Sequence, residues 1–293
     1  MQLICPLENF RVPGGAAIDL GQWPTRVAPL SKSKKHYHEL LDEYREEISD
    51  LQGLLYAHNR YALLLVFQGM DTAGKGGAIK HVMSGVNPQG CQVFTFGPPS
   101  DEELDHDFLW RTNKCLPERG RIGIFDRSYY EEVLIVRVQP EILAGQRLPA
   151  ELVDPQTLWH QRFTDIVNLE SYLHRNGTRT VKFFLHLSRE EQRQRLLARI
   201  ADPQKNWKFR IHDLDARRAW DAYQHAFAQC LGHTSCQHAP WYVVPADDKQ
   251  NARLIVSHIV LETLKALPLE YPRLEPKRVD ELREAKRLLE AEA

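Results

Sequence analysis

Apolar residues fall along this chain in two alternating rhythms. From His36 to about Ala57 they recur at helical spacing, at Leu40, Leu41, Tyr44, Ile48, Leu51, Leu54 and Leu55, with charges between them, which predicts an amphipathic helix. Strand-sized apolar runs follow at 61–67, 91–96, 121–126, 179–187 and 241–244. Between them the helical period returns near 75–84, 101–115, 156–175, 189–200, 213–230 and 248–265. Strands alternating with helices of this length predict βαβ units, and so an α/β fold of three layers, a central parallel sheet with helices on both faces. A ligand is then expected at the C-terminal ends of the strands.

The ends of the chain read differently. Residues 1–35, with several Pro and Gly residues and then Lys32, Lys34 and Lys35, predict an arm that lies over the domain or is partly ordered. A single domain is expected over 36–270. The tail, 271–293, becomes rich in Glu, Arg, Leu and Ala from Val279, which predicts a solvent-facing helix or a subunit-packing element.

Composition narrows the function classes. A chain of 293 residues suits one such domain with extensions. With 38 basic and 39 acidic side chains, no global field marks a nucleic-acid or membrane-surface binder, so any cationic surface is local. The apolar runs are strand-sized and the first residues lack a signal-peptide pattern, so a cytoplasmic protein is expected. Five irregularly spaced cysteines without a Cys-x-x-Cys pair argue against a disulfide framework. His225, Cys230, His233, Cys236 and His238 lie close together, but their spacing matches no familiar zinc finger and packing is the simpler expectation.

The most informative segment is Gly69-Met70-Asp71-Thr72-Ala73-Gly74-Lys75-Gly76-Gly77, directly after the strand-sized run at 61–67. A loop there turns a row of backbone N–H groups toward one anion, and Gly69, Ala73, Gly74, Gly76 and Gly77 are its candidate phosphate contacts. The spacing Gly-x4-Gly-Lys is complete, yet Gly76 replaces the Ser or Thr whose hydroxyl usually holds Mg²⁺. Asp71 in the loop and Asp126, at the tip of the 121–126 run, are the candidate metal carboxylates in its stead. Lys75 is placed to offset charge on a phosphoryl group in transit, and Arg127 to bind it with its planar fork. Glu131 follows closely enough to border the site, where acceptor choice and plain helix surface are both open readings. Ser100-x-x-Glu103 predicts a capping box, Arg111 a phosphate contact or an ion pair, and His106 with Trp110 packing.

Further along, Arg189, Arg193, Arg195, Arg199, Lys205, Lys208 and Arg210 outnumber Glu190, Glu191 and Asp202. Asp202-Pro203 breaks the helix, and Lys205 and Lys208 flank the break. This predicts a lid over about 189–215 that closes on phosphates.

Together these stretches resemble the polyphosphate kinase 2 family. The resemblance runs through the loop at 69–77, Phe125-Asp126-Arg127-Ser128-Tyr129-Tyr130-Glu131-Glu132-Val133-Leu134, Asp107-Phe108-Leu109-Trp110-Arg111, Lys205-Asn206-Trp207-Lys208 and Trp241-Tyr242-Val243-Val244-Pro245-Ala246-Asp247, over roughly residues 36–267. It implies a P-loop kinase-like fold with a helical lid, dependence on Mg²⁺ (with Mn²⁺ as a substitute), and reversible transfer of a terminal phosphoryl group from inorganic polyphosphate to a nucleotide, with ATP as the product from ADP. It implies a homo-oligomer, a dimer or tetramer. The Tyr-Glu-Glu-Val-Leu continuation resembles the class acting on both AMP and ADP, although members often carry Asn at the position of Asp126 and His at that of Tyr129. Carried over, Asp71 and Asp126 would hold metal, Lys75 and Arg127 would stabilise the transferring group, and Arg137, Lys205 and Lys208 would bind phosphates.

Two other functions fit parts of the sequence. An ATP-dependent nucleoside monophosphate kinase of thymidylate kinase type shares the loop aspartate but normally keeps the Ser or Thr that Gly76 replaces. A non-catalytic nucleotide- or polyphosphate-binding module would not need two carboxylates and an arginine at one place.

Overall fold

The computed structural model describes residues 5–292, the side chain of His212 excepted. Five strands form one sheet: β1 (Ala62–Gln68), β2 (Cys91–Thr95), β3 (Ile122–Asp126), β4 (Thr178–His186) and β5 (Trp241–Pro245). Their order is β2-β3-β1-β4-β5 and every pairing is parallel. All seven residues of β1 are buried, as a central strand covered on both faces requires.

The helices are α1 (Lys34–His58), α2 (Lys75–Val82), α3 (Asp101–Leu104), α4 (Trp110–Asn113), α5 (Ile135–Val138), α6 (Pro140–Gly145), α7 (Leu158–Arg175), α8 (Arg189–Ala201), α9 (His212–Arg218), α10 (Trp220–Thr234), α11 (Lys249–Lys265) and α12 (Pro276–Glu290). One core packs α1, α2 and α11 on one face of the sheet through Leu41, Tyr44, Ile48, Ile79 and Ile255. The other packs α7 and α10 on the opposite face through Phe163, Ile166, Phe227 and Leu231. The three-layer α/β expectation is met. No described helix is long and apolar enough to cross a membrane.

Two predicted helices are each divided in the structure. The 101–115 segment opens with the expected capping box, Ser100 N donating to Glu103 Oε2 (2.8 Å) and Glu103 N to Ser100 Oγ (3.2 Å). It then breaks, because Asp107 Oδ1 accepts from Leu109 N (2.9 Å) and offers the backbone a turn instead of another helical bond. The 213–230 segment breaks at Ala219 (ψ 20°), so that α10 can bury Tyr223, Phe227, Cys230 and Leu231 against the sheet while α9 stays beside α8, where Arg199 Nη1 lies 3.4 Å from Asp213 Oδ2. Residues 127–152, where apolar periodicity predicts no element, hold a 3₁₀ helix at Tyr129–Val133 followed by α5, α6 and a 3₁₀ turn.

The described part of the N-terminal arm is tied to the domain. Val12 N donates to Trp241 O (2.9 Å) and Val243 N to Phe10 O (2.8 Å), so this stretch runs antiparallel to the β5 edge. Phe10, Val12 and Leu20 are buried. At the other end, α12 buries none of its residues.

Candidate active site

The loop between β1 and α2 is shaped by backbone conformation that glycine permits. Gly69 and Gly74 have φ of 153° and 105°, and a Cβ on Gly69 would stand 2.9 Å from Leu185 O. Gly74 is the N-cap of α2 and no side chain caps that end, so the first-turn N–H groups are left for a ligand. Three loop carbonyls, those of Asp71, Thr72 and Ala73, are held by α8. Gln192 Nε2 donates to Asp71 O (3.2 Å), while Arg195 Nη1 donates to Thr72 O (3.1 Å) and Ala73 O (3.2 Å). Arg195 Nη2 also reaches Ala246 O (2.7 Å) and Asp247 O (3.1 Å), locking the loop to the end of β5. Holding the carbonyls on one side presents the N–H groups on the other.

Register brings the remaining groups together. Phe67 of β1 pairs with Asp126 of β3, so the tip of β3 lies beside the root of the loop. Asp126 Oδ2 would be 3.5 Å from a Cβ on Gly76. The carboxylate therefore borders the space into which a Ser or Thr hydroxyl would otherwise project. Arg127, at φ 65°, turns its side chain back over the loop and Nη2 pairs with Asp71 Oδ1 at 3.2 Å. Lys75 Nζ donates to Gly69 O (2.7 Å).

These charges act on one another. Burial lowers the Lys75 pKa and Arg127 lowers it further, against the opposing pull of Asp71, Asp126 and Glu131. Burial works against the Arg127 cation too, but Glu131, Asp71 and Asp126 outweigh it and raise its pKa. Glu131 has its pKa raised by burial, with Arg127 and Lys75 opposing. With the Gln68 amide turned to satisfy both neighbours, its Nε2 donates to Glu131 Oε1 (2.8 Å) and its Oε1 accepts from Ser128 Oγ (3.2 Å).

Asp71, Lys75, Asp126, Arg127 and Glu131 thus share one cleft at the C-terminal strand ends. The other predicted contacts lie elsewhere. Lys205 pairs with Asp202, and Lys208 Nζ sits 5.0 Å from the Trp207 ring centre, both within the exposed turn that follows α8. Arg137 lies against α7 and α10, its guanidinium 5.7 Å from the Trp159 ring and its charge felt by Cys230 and His233. Arg111 is used in structure: it donates to Gly97 O (2.8 Å) and lies 3.6 and 3.7 Å from Glu103 and Glu132. His106 stacks on Trp110 at 3.8 Å.

Sequence reasoning overlooked several neighbours of the site. Asp213 of α9 is buried, its pKa raised by burial and then by Asp71, and it lies 3.4 Å from Arg199 Nη1. Tyr223 of α10 is raised by burial and by Glu131. Gln192 carried a readable signal, a polar residue on the face of α8 where an apolar one was due, and Arg195, expected among the lid cations, is instead used on the carbonyls of the loop and of residues 246–247. Asp213 carried none.

Asp71 and Asp126 supply hard oxygen donors suited to a divalent cation. Among the described residues no group of three His, Cys, Asp or Glu side chains could hold a metal ion unaided. A cation here would complete its shell with phosphate oxygens and water.

The chain is similar to known proteins over most of its length. The family model described as polyphosphate kinase 2 matches residues 31–271. An ADP-polyphosphate phosphotransferase of Rhodopseudomonas palustris is 59% identical over 275 residues, covering 94% of this chain and 95% of that protein. An AMP/ADP-polyphosphate phosphotransferase of Meiothermus ruber is 40% identical over 270 residues, covering 92% and 97%. The crystal structure of polyphosphate kinase 2 from Arthrobacter aurescens TC1 superposes with a TM-score of 0.84 at 38% identity, over 98% of this chain and 96% of that one. With its loop, its paired carboxylates and a match through nearly all of the α/β domain, the chain belongs to the polyphosphate kinase 2 family.

Proposed function

We propose that this enzyme transfers the terminal phosphoryl group of inorganic polyphosphate to a nucleotide, ADP and also AMP, in a reversible reaction that forms ATP from ADP. The reading is supported chiefly by the Asp126 carboxylate lying where a P-loop hydroxyl would project from residue 76. The names of the relatives at 59% and 40% identity support the donor and the acceptors. A bound divalent cation, Mg²⁺ or Mn²⁺, held by Asp71 and Asp126 would neutralise phosphate charge. The first-turn N–H groups of α2 cradle the phosphoryl group, while Lys75 and Arg127 meet the charge that builds on its oxygens. The burial that lowers the Lys75 pKa also strengthens its field on a phosphate in the cleft.

Glu131 is read as an acceptor-side residue and Lys205 with Lys208 as donor-chain contacts made on lid closure. Polyphosphate carries about one charge per phosphate, so a row of lid cations suits it. Arg137 would join that row only through a rearrangement of α5. A homo-oligomer acting in the cytoplasm completes the reading. Exposed Leu282, Leu288 and Leu289 of α12 support assembly, and five free cysteines suit a reducing compartment.

The test supplies ADP or AMP with Mg²⁺ and either polyphosphate or ATP as donor. ATP formed from ADP only with polyphosphate is the expected result. Transfer to AMP only from ATP would replace it with a nucleoside monophosphate kinase, and ligand binding without turnover with a binding module.

A further inference from the structure

Lys182 and Glu170 are both 0% exposed, and they meet beneath the sheet's α7 and α10 face, away from the phosphate loop. Lys182 lies mid-strand in β4, where an apolar side chain would be expected. Each charge loses its hydration on burial, so such a pair is weak evidence for stability. Its directional bonds are another matter. Lys182 Nζ spends its protons on Glu170 Oε2 (2.6 Å), Thr234 O (2.7 Å) and Tyr130 OH (2.9 Å). Glu170 Oε1 accepts from both Tyr130 OH (2.8 Å) and Tyr129 OH (2.9 Å).

Those tyrosines are consecutive residues of the 3₁₀ helix that follows Arg127. Their hydroxyls converge on that one carboxylate oxygen, with ring centres 5.0 Å apart, so the segment is pinned at two successive residues. Glu131 comes next in the chain: with the Gln68 amide turned, its Oε1 accepts from Gln68 Nε2 (2.8 Å), and its charge is felt by Arg127 and Lys75. Arg127 itself holds φ 65°, a conformation that persists only where the surroundings over-determine it. We infer that Glu170 and Lys182 are positioning residues, acting through Tyr129 and Tyr130 to aim Arg127 and Glu131 at the transferring phosphoryl group and its acceptor.

The inference rests on the phosphotransfer reading, which the parent enzyme's own turnover tests; this one is tested by the ratio between two variants. Glu170→Leu/Lys182→Met removes both charges and the bonds that Glu170 and Lys182 make to the two hydroxyls. Glu170→Gln/Lys182→Met is equally uncharged but keeps a carbonyl oxygen for the two hydroxyls. The expected result is an approximately 10- to 100-fold loss of kcat/KM for the nucleotide in the leucine pair, with the KM for polyphosphate unchanged. The glutamine pair should keep most of the parent's rate at a similar thermal midpoint. Equal activities in the two pairs, or losses that follow only the folded fraction, overturn the inference. Should the leucine pair not fold, Tyr129→Phe and Tyr130→Phe each delete one hydroxyl. A lower kcat with unchanged polyphosphate KM in these variants supports the positioning role, and unaltered kinetics refute it.

Discussion

Gly76 offers a sharp test because its neighbourhood permits two substitutions with opposite consequences. It sits in the first turn of α2 without a positive φ, and an added Cβ meets only Asp126 Oδ2, at 3.5 Å, an ordinary contact. Gly76→Ala should therefore stabilise the protein by about 1 kcal/mol through helix propensity and lost freedom of the unfolded chain. For a chain of this size that raises the thermal midpoint by roughly 1–2 °C. Gly76→Ser adds a hydroxyl one bond further on, within the roughly 2.5–3.0 Å reach of an O–H···O bond to Asp126. A hydrogen bond to a charged acceptor is worth about 1.5–3 kcal/mol, and a cation must displace it. The Mg²⁺ concentration giving half-maximal turnover should then rise about tenfold or more in the serine variant and stay near the parent's value in the alanine one. Magnesium titration of polyphosphate-dependent ATP formation reads this directly. A requirement that is unchanged or lowered with serine, or raised equally by alanine, would refute the placement of the cation at Asp126.

Three further outcomes are expected. Lys75→Met should lower kcat by about 10²–10³ without lowering the thermal midpoint, since it removes a desolvated cation; because the Lys75 pKa is lowered, the parent's activity should decline with rising pH before an ordinary lysine would titrate. The raised pKa of Glu131 means that falling pH removes its charge earlier than for an ordinary glutamate, so the pH–rate profile should show an acid limb that Glu131→Gln abolishes. Lys205→Ala with Lys208→Ala should raise the KM for polyphosphate and flatten its dependence on salt, as initial rates across a range of ionic strength will show.

The sheet and the loop were legible because they rest on local rules. An unbroken apolar run at 61–67 has few uses other than a buried strand, and Gly69 and Gly74 mark a backbone conformation other residues resist. The division of 101–115 was not legible, since Asp107 can hydrogen-bond its own backbone or face solvent and only the surrounding packing decides which. The same applies to Asp213, an ordinary aspartate in sequence that α9 carries to Arg199 and into the field of Asp71. Arg137, a phosphate contact implied by the family resemblance alone, has no local signal for its placement, and α5 sets its guanidinium 5.7 Å from the Trp159 ring. Lys182, a lysine inside the 179–187 run, went unread; its bond to Glu170 on α7 joins two segments that no local pattern connects.

The pairing of residues 10–12 with β5 has a practical consequence. An unprotected outer strand is a template for sticking to other chains, and the arm removes that hazard on one side of the sheet. Trimming the chain back to the start of α1 would strip the guard and uncover Tyr242 and Val243, so a shortened version should clump even though every catalytic group is retained. On the opposite side, among the described residues, β2 has no strand beyond it and exposes Val93, so growth of the sheet from one molecule into another is expected at that edge.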